Sequence, residues 1–434
     1  MSCLRLRHSL PVIFLSFVAA APAVAFAEQA AHGGVLELSL DDALHRGEQY
    51  VPLLVRAHNE ELAVRAKREG AAVLLSQNPY ATFMGGYRRE TTSTPTATGF
   101  QYQFHLEQAL EVAGQRRTRL ESVAAQLSVA RSNSEYARTL TRAILHTTYT
   151  RAALSEQRVQ VARNREEIAQ RLLQSARVRQ EVGAAGEVEV NLAQIEAGRV
   201  AGERTEAEAQ REELYGELRL FTGLSPQTPI RLASQTEPPI LRAEHQELPR
   251  LFALAEARRA DYQALLRQRE VHHRERARLA REVVPNPVLA VDIQRDLPGQ
   301  EFYGGTVGVY LPLWNRNQGP LAQVRAAETA RQREQPMLLS RIHSEVAVAQ
   351  RKLLLLRHQV QEFSKTVLPP AERNLDLLRR GWQAGKFDLF RVITASRELA
   401  EAHSRYIDLV GELWGATIEL ERAVGTPILT GGLR

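Results

Sequence analysis

The sequence predicts a mainly α-helical protein with a small β part, in which long antiparallel coiled-coil helices are joined to strands that cross a membrane. Three observations lead to this fold class. The same order of elements occurs twice along the chain, each copy contains a helical pattern too long for a compact domain, and each copy contains two strands with alternating apolar and polar residues.

The internal repeat is the most informative feature of the sequence. Residues 183–223 match residues 385–425 at a constant offset, so that Gly183 falls on Gly385 and Gly223 on Gly425. Upstream, Asn78-Pro79 matches Asn286-Pro287, and residues 110–115 match residues 313–318. The sequence therefore predicts a first repeat over 28–226, an equatorial linker over 227–247, a second repeat over 248–427 and a C-terminal tail over 428–434.

Two long helices are predicted in each repeat, at about 115–182 and 187–220, then at about 321–384 and 387–422. At 1.5 Å per residue, the longest extends about 100 Å, which requires a coiled coil or a tube. Leu120, Val123, Leu127 and Ala130 follow the heptad spacing of a left-handed coiled coil. Prolines at 336, 369 and 370 are expected to kink or break the second long helix.

Two strands precede the long helices of each repeat, at about 79–89 and 100–110, then at about 287–296 and 302–313. Strands of this length can cross a bilayer when tilted. The residues expected to face lipid are Phe100, Tyr102, Phe104, Leu106, Val307 and Val309. An amphipathic sheet over a soluble core would also explain the alternation, but not why each strand pair lies between long helices.

Four strands are too few to close a barrel, because the smallest barrels need about eight. Other copies of the chain must then supply the missing strands. Three copies would give twelve strands, but the strand count alone does not choose three over two or four. No segment after residue 27 has the run of apolar residues that a membrane-spanning helix needs.

The N-terminal residues resemble a secretory signal peptide, predicted over 1–27 with cleavage after Ala27. A buried N-terminal helix is the alternative interpretation. The only cysteine, Cys3, lies inside this segment, which excludes disulfides, thiolate metal sites and a cysteine nucleophile from the mature chain. The net charge of +6 comes from arginines that alternate with glutamates, as on a solvated helix face, so no nucleic-acid partner is expected.

Enzyme signatures are absent from the sequence, which contains no P-loop, dinucleotide fingerprint or His-Glu-x-x-His zinc motif. His272 and His273 are adjacent, and neighbours on a helix point about 100° apart, so they are expected to be solvated rather than to bind one metal ion. The sequence predicts a protein that is not an enzyme, with no cofactor and no resident metal.

The chain resembles the TolC-like outer-membrane efflux family from about residue 36 to residue 427. Residues 38–44 followed by Pro52 are similar to the first helix pair of that family, and residues 385–395 are similar to its periplasmic turn. The segments QALEVAGQR at 108–116 and LPLWNRNQG at 311–319 resemble the CzcC-like heavy-metal branch.

The resemblance implies a homotrimer with a shared twelve-stranded barrel in outer-membrane lipid and a helical tunnel through the periplasm. It implies a periplasmic membrane-fusion adaptor and an inner-membrane RND-type pump as partners. The expected function is a passive exit duct for heavy-metal cations such as cobalt, zinc, cadmium or copper. A duct for drugs or for type I protein secretion is an alternative, and a periplasmic coiled-coil scaffold or adaptor is an alternative of another class.

The periplasmic tips are predicted at Gly183 and Gly186 in the first repeat and at Gly385 and Asp388 in the second. A docking or gating role is predicted for charged and polar residues near these turns: Arg179, Arg380, Lys386, Glu187, Glu189, Arg391 and Thr394. Members of the family often carry an acidic ring where this chain has Arg391 and Thr394, so a cation-selective ring is not carried over. The glycines alone could also be simple turn residues.

Overall fold

The computed structural model describes residues 35–90, 97–233, 237–239, 247–296 and 299–428. The signal peptide predicted over 1–27, the strand connection at 91–96 and the C-terminal tail beyond Ile428 lie outside these ranges. Within the described residues, no helix combines the length and the apolar character needed to cross a membrane.

The elements follow one order in the first half of the chain and a corresponding order in the second half. The first half contains β1 (Leu36–Leu38), α1 (Leu40–Tyr50), α2 (Pro52–Ala72), β2 (Tyr80–Glu90), β3 (Ala97–Ala109), α3 (Gln115–Glu181), α4 (Glu187–Thr222) and β4 (Ile230–Leu232). The second half contains α5 (Leu248–Arg258), α6 (Ala260–Glu282), β5 (Pro287–Arg295), β6 (Glu301–Val309), α7 (Gln318–Thr366), α8 (Leu368–Gln383) and α9 (Leu389–Val424).

Helix α3 is the centre of the molecule, because it contacts α2, α4, α6 and α9. Its first part lies beside α2 and α6, where Arg274 of α6 donates to Glu121 of α3 at 3.0 Å. Its second part lies beside α4 and α9, where Arg158 of α3 donates to Asp408 of α9 at 2.6 Å. With 67 residues, α3 is about 100 Å long, as the sequence predicts.

Helices α3 and α4 run antiparallel and are joined by ion pairs along their length. Arg163 of α3 contacts Glu208 of α4 at 2.9 Å, and further along the pair Arg204 of α4 contacts Glu166 of α3 at 2.8 Å. Alanines and serines fill much of the buried face of α3. The arginine–glutamate pattern seen in the sequence is therefore the charged border of a helix pair with a small-residue interior.

The second long helix, predicted over 321–384, is divided in two, as expected from Pro369 and Pro370 but not at Pro336. Helix α7 ends at Thr366 and α8 begins at Leu368, with Pro369 and Pro370 in its first turn. Proline has no N–H and disfavours helical geometry in the preceding residue, which explains the break. Pro336, by contrast, lies inside α7 and does not end it.

Strands β2, β3, β5 and β6 form one antiparallel sheet in that order. Three of them keep their predicted positions within about three residues at each end. The fourth was predicted over 302–313, but β6 ends at Val309. Pro312 cannot donate to a strand ladder, and the chain turns there, with the Leu313 N–H bonded to the Leu311 carbonyl at 2.9 Å.

A two-stranded parallel sheet pairs β1 with β4 and was not predicted from the sequence. Strand β4 lies within residues 227–247, so part of the predicted linker is ordered against the first residues of the fold. Tyr149 of α3 is completely buried beneath this sheet, and its hydroxyl lies 3.0 Å from the Leu38 carbonyl and 2.7 Å from the Ala233 carbonyl. The contact anchors the linker to the middle of α3.

Candidate functional site

The four-stranded sheet has one continuous apolar face. Cross-strand partners point to the same side of a sheet, and the register places Phe83 opposite Phe104 and Phe104 opposite Ile293. The apolar face includes all six residues predicted to face lipid and extends over the four strands: Phe83, Tyr87, Phe100, Tyr102, Phe104, Leu106, Leu289, Val291, Ile293, Tyr303, Val307 and Val309.

Most of these side chains are exposed in the single chain, with Phe83 at 68% and Val307 at 76%. Apolar patches of this extent are rare on monomeric soluble proteins and indicate a surface covered by lipid or by protein. In the described part of the chain, nothing packs against this face.

The opposite face of the sheet is mainly polar, although the exposed Tyr80, Met84 and Phe302 also lie on it. It carries Gln101, Gln103 and His105 from β3 and Asp292 from β5. The Nδ1 atom of His105 lies 2.8 Å from Asp292, and Thr306 of β6 donates to the same carboxylate at 3.3 Å. These bonds link three strands across the polar face.

The two edges of the sheet are β2 and β6, and each has a strand partner on one side only among the described strands. An edge strand presents unpaired backbone N–H and C=O groups. Such groups cannot remain unpaired in lipid, because no water is available there to bond them.

The turns at the two tips have the same geometry. Gly183 and Gly385 adopt positive φ values of 73° and 74°, which favour glycine. In each turn, an N–H after the glycine bonds back to a carbonyl five residues earlier: Ala184 to Arg179 at 2.7 Å, and Lys386 to Gly381 at 2.8 Å. Gly186 and Asp388 then begin α4 and α9, and only Asp388 caps its helix with its side chain.

A contact between the two tips involves Arg179, Glu189 and Trp382. Trp382 is 1% exposed, and its indole N–H donates to Glu189 at 2.9 Å. Arg179 donates to the Trp382 carbonyl at 2.8 Å, and its guanidinium lies 5.3 Å from the centroid of the Trp382 ring. The three side chains join α3 and α4 of the first repeat to α8 of the second.

Arg179, one of the residues predicted to act in docking or gating, is therefore not a freely exposed side chain at the tip. Its side chain is one quarter exposed and bonded to the other tip, because Trp382 provides both a ring surface and a carbonyl oxygen within its reach. Arg179 therefore has a structural position between the helix pairs, whatever role it has in docking.

The other predicted tip residues remain on the surface. Lys386 is exposed, and Arg380 pairs with Asp376 of its own helix. Arg391 lies 3.6 Å from Asp388 and over the ring of Phe387, while the Thr394 hydroxyl bonds to the Phe390 carbonyl. Glu187 lies in the first turn of α4, where a negative charge stabilises a helix start.

Glu196 of α4 is a buried carboxylate that the sequence analysis missed. It accepts hydrogen bonds from Arg165 of α3 at 3.3 Å, from Arg199 of its own helix, and from Arg397 of α9 at 3.0 Å. Burial is the largest single influence and would raise the pKa of Glu196, but the hydrogen bonds from Arg199 and Arg397 and the charge of Arg165 together hold the pKa below its ordinary value. The carboxylate links three helices near the tips.

The sequence contains a signal for the burial of Trp382 but none for the contacts of Glu196. Trp382 is an aromatic residue whose counterpart in the first repeat is the polar Gln180, so its burial needed a partner from outside its own helix pair. Glu196 lies in an arginine-rich, small-residue segment, but the pairing of α4 with α9 is a tertiary contact that the local pattern does not contain.

No three histidine, cysteine or acidic residues are grouped to hold a metal ion in the part of the chain that the structure describes. His272 and His273 lie on α6, where His273 is 3.4 Å from Arg276. The functional features of the described residues are thus an apolar sheet face, two sheet edges and two joined helical tips.

The chain is similar to the cobalt-zinc-cadmium resistance protein CzcC of Cupriavidus metallidurans, with 27% identity over 348 residues and 78% of each chain covered. No model of a protein family matches it. Its fold is similar to that of the outer-membrane channel OprN, with a TM-score of 0.70, 16% identity and 89% of each chain covered. CusC, a protein studied for transmembrane channel formation, also has a TM-score of 0.70, with 15% identity over 89% of this chain and 92% of CusC.

These similarities confirm the predicted resemblance to the TolC-like outer-membrane efflux family and to its CzcC-like branch. The mainly helical fold with a small sheet is that of the solved channels. The related proteins are channel and resistance proteins, in agreement with the prediction that this chain is not an enzyme.

The Glu196 contacts lead to a prediction about pH. A carboxyl whose pKa is lowered on folding stabilises the fold above its unfolded pKa of about 4.5, and this stabilisation is lost as pH falls through the folded value. At neutral pH, we expect Glu196→Gln to reduce stability by about 1–3 kcal/mol, because buried arginine donors lose their ionised acceptor. Thermal unfolding should also become less sensitive to pH below about 5.

The matched control is Glu206→Gln, an exposed position on the same helix, which should unfold like the parent. Melting curves of the detergent-extracted protein from pH 7 to pH 3 provide the measurement. Equal melting temperatures and equal pH profiles for Glu196→Gln and the parent would contradict a stabilising role for this carboxylate.

Proposed function

We propose that this chain is one subunit of an outer-membrane exit duct in an efflux system, exported through its signal peptide. The observation that carries the proposal is the continuous apolar face of the β2-β3-β5-β6 sheet, attached to helix α3, which is about 100 Å long. The similarity of the fold to outer-membrane channels over nearly nine tenths of the chain supports it.

The sheet would cross the outer membrane as part of a barrel shared between copies. The apolar face would contact lipid and the polar face, with Gln103 and His105, would line the lumen. Pairing of the β2 edge of one copy with the β6 edge of the next satisfies the backbone groups of both, and three copies provide twelve strands.

The helices would form the wall of a tunnel through the periplasm. In the single chain the helices lie side by side in the order α2, α3, α6 and α7. Among the described helices, the outer sides of α2 and α7 therefore have no neighbour. The same repetition that closes the sheet would close this helical layer into a tube. Such a duct conducts its cargo passively, and energy comes from an inner-membrane pump.

Heavy-metal cations such as cobalt, zinc, cadmium or copper are the proposed cargo, supported by the similarity to CzcC. A passive duct needs no tight binding site, because tight binding would slow release. A duct for drugs or for secreted proteins would share this architecture, so these are the alternative cargoes.

The proposed partners are a periplasmic membrane-fusion adaptor and an RND-type pump, which would meet the duct at its tips. The candidate contact surface consists of the exposed Arg380 and Lys386 beside the Gly385 turn, with Glu187, Arg391 and Thr394 close to the ends of α4 and α9. A periplasmic scaffold would use the same helices, but it would gain nothing from an exposed apolar sheet face.

The function is tested in a strain from which the gene has been deleted. We expect the deletion to increase sensitivity to one or more of cobalt, zinc, cadmium and copper, and the intact chain to restore resistance from the outer-membrane fraction as a trimer. Increased sensitivity to drugs alone would select the alternative cargo. If the protein were found only in the soluble periplasmic fraction and never in the membrane fraction, the proposed duct function would be contradicted.

The lipid face is tested by a matched pair of variants on β3. We expect Phe104→Arg to impair membrane assembly, because a charge facing lipid costs about 2–4 kcal/mol near the middle of the bilayer. Gln103→Arg, on the polar face of the same strand, should assemble like the parent. The measurement is the amount of assembled oligomer in outer membranes, and equal losses from both variants would contradict the assigned faces.

The docking surface is tested with charge reversals at the second tip. We expect Arg380→Glu or Lys386→Glu to reduce efflux and adaptor cross-linking while trimer yield stays normal, because neither side chain contributes to the contact around Trp382. Arg117→Glu is the control, because Arg117 is exposed near the start of α3, far from the tips, and pairs within its own helix as Arg380 does. Parental efflux and cross-linking in both tip variants would leave these residues with a turn role only.

A further inference from the structure

One junction between the two halves of the chain is fully formed within a single copy. Where β3 leads into α3, the Leu110 N–H donates to the Pro287 carbonyl at 2.8 Å. The side-chain amide of Gln115 donates to the Asn286 side chain at 2.7 Å, and Gln115 is only 3% exposed. This junction holds β3 and α3 of the first half against β5 of the second.

The same residue types lie at the two free edges. By the internal repeat, Gln318 corresponds to Gln115 and Asn78 corresponds to Asn286. Both Gln318 and Asn78 are exposed, and they lie on opposite sides of the molecule, at the β6–α7 and α2–β2 connections.

The local geometry of the two glutamines is equivalent. Each is the first residue of a long helix and follows a residue with positive φ, Gly114 in one case and Asn317 in the other. The Oε1 atom of Gln115 accepts the Ala113 N–H at 2.9 Å, and that of Gln318 accepts the Arg316 N–H at 2.7 Å.

Each glutamine amide nitrogen has two hydrogens to donate. In Gln318, one hydrogen bonds to the Trp314 carbonyl at 3.0 Å. The second hydrogen corresponds to the one with which Gln115 bonds to Asn286. The asparagine that matches Asn286 is Asn78, which lies at the far edge of the sheet. Only another copy of the chain can bring that edge to Gln318.

We propose that the β6–α7 edge of one copy docks on the α2–β2 edge of the next by reproducing the side-chain bond of the internal junction, with the amide of Gln318 donating to Asn78 of the neighbouring copy. The inference rests on the proposed shared sheet and adds to it the contact residues and the strand register. The two edges differ, so the contact is head-to-tail and can close into a ring.

The register follows from the pairs inside the chain. Pro287 lies opposite Val309, and the β2–β3 register, extended by one residue beyond Tyr80, places Pro79 opposite Gln108, so that Val307 corresponds to Leu106 in the sheet. The connection from Val309 to Gln318 is two residues longer than the connection from Gln108 to Gln115, so the strands correspond at a different offset from the helix starts. Leu106 lies opposite Val291, whose counterpart in β2 is Phe83. Val307 is therefore expected opposite Phe83 of the neighbouring copy, on the same apolar face.

Charge supports this register over its neighbours. It places Glu301, at the start of β6, opposite Arg89, near the end of β2 of the next copy, and opposite charges across strands are favourable. A shift of two residues in either direction keeps the apolar face but moves Glu301 away from Arg89. A shift of one residue exchanges the faces and is excluded by the pattern.

Cysteine cross-linking tests the register, since the sequence contains only Cys3, which can be replaced by serine. We expect Phe83→Cys with Val307→Cys to form disulfide-linked species of two and more copies. The controls shifted by two residues, Ala81→Cys with Val307→Cys and Gly85→Cys with Val307→Cys, should link at least about fivefold less, because a disulfide requires Cα atoms about 4.4–6.8 Å apart.

A disulfide within one copy would not be confused with this result. In a single copy β2 and β6 are separated by β3 and β5, about 14 Å at ordinary strand spacing. Stronger linking in either control overturns the register, as does the absence of linking in all three pairs of an assembled oligomer. A parent protein that forms no oligomer in membranes would instead contradict the proposed function.

The Gln318–Asn78 contact is tested by a double-mutant cycle on Gln318→Glu and Asn78→Ala. Glutamate keeps the acceptor for the Arg316 N–H and removes the donor. Each variant should lower the temperature at which the detergent-extracted oligomer dissociates, and the double variant should lower it no further than the more severe single variant. Gln77→Ala, an exposed neighbour, is the control and should behave like the parent, while additive effects or no effects would overturn the contact.

Discussion

The rest of the structure depends on one constraint, the pairing of backbone groups at the edges of a four-stranded sheet with an apolar face. The apolar face is more stable away from water. An apolar environment, however, cannot form hydrogen bonds with the unpaired backbone N–H and C=O groups at the β2 and β6 edges. One chain has too few strands to close the sheet on itself. The proposed pairing between copies would satisfy these groups, and the helices that leave the sheet would follow the same closure.

Helix α3 transmits this arrangement from the sheet to the tips. It starts directly after the sheet at Gln115, whose side chain is bonded across the two halves of the chain, and it ends at the first tip, where Arg179 is bonded to Trp382. Between these points Tyr149 fixes the small β1–β4 sheet to its middle. Polar contacts at three levels thus fix the position of the central helix within a layer whose buried residues are mostly small.

Much of this architecture could be predicted from the sequence because it is periodic. The alternation from Phe100 to Leu106 specifies which residues share a sheet face, and the repeat of Gly183 at Gly385 predicts two equivalent turns. The contacts of Trp382 and Glu196 could not be predicted, because each depends on which helix of the other repeat lies alongside. The β1–β4 pairing joins segments far apart in sequence, and strands of three residues carry too little pattern to be recognised. The helix break before Pro369 was signalled by sequence, but whether a proline ends a helix depends on its packing, as Pro336 shows.

The tips show how docking and stability can be separated in one small region. The contact that joins the two helix pairs uses Arg179, Glu189 and the buried Trp382, whereas Arg380 and Lys386 lie outside it on the surface. Arg391 is next to Asp388, so its charge is partly balanced at the start of α9. Glu196 is likewise surrounded by three arginines and presents no free negative charge. In the proposed duct, cation passage would then not rely on an acidic ring at Arg391 or at Glu196.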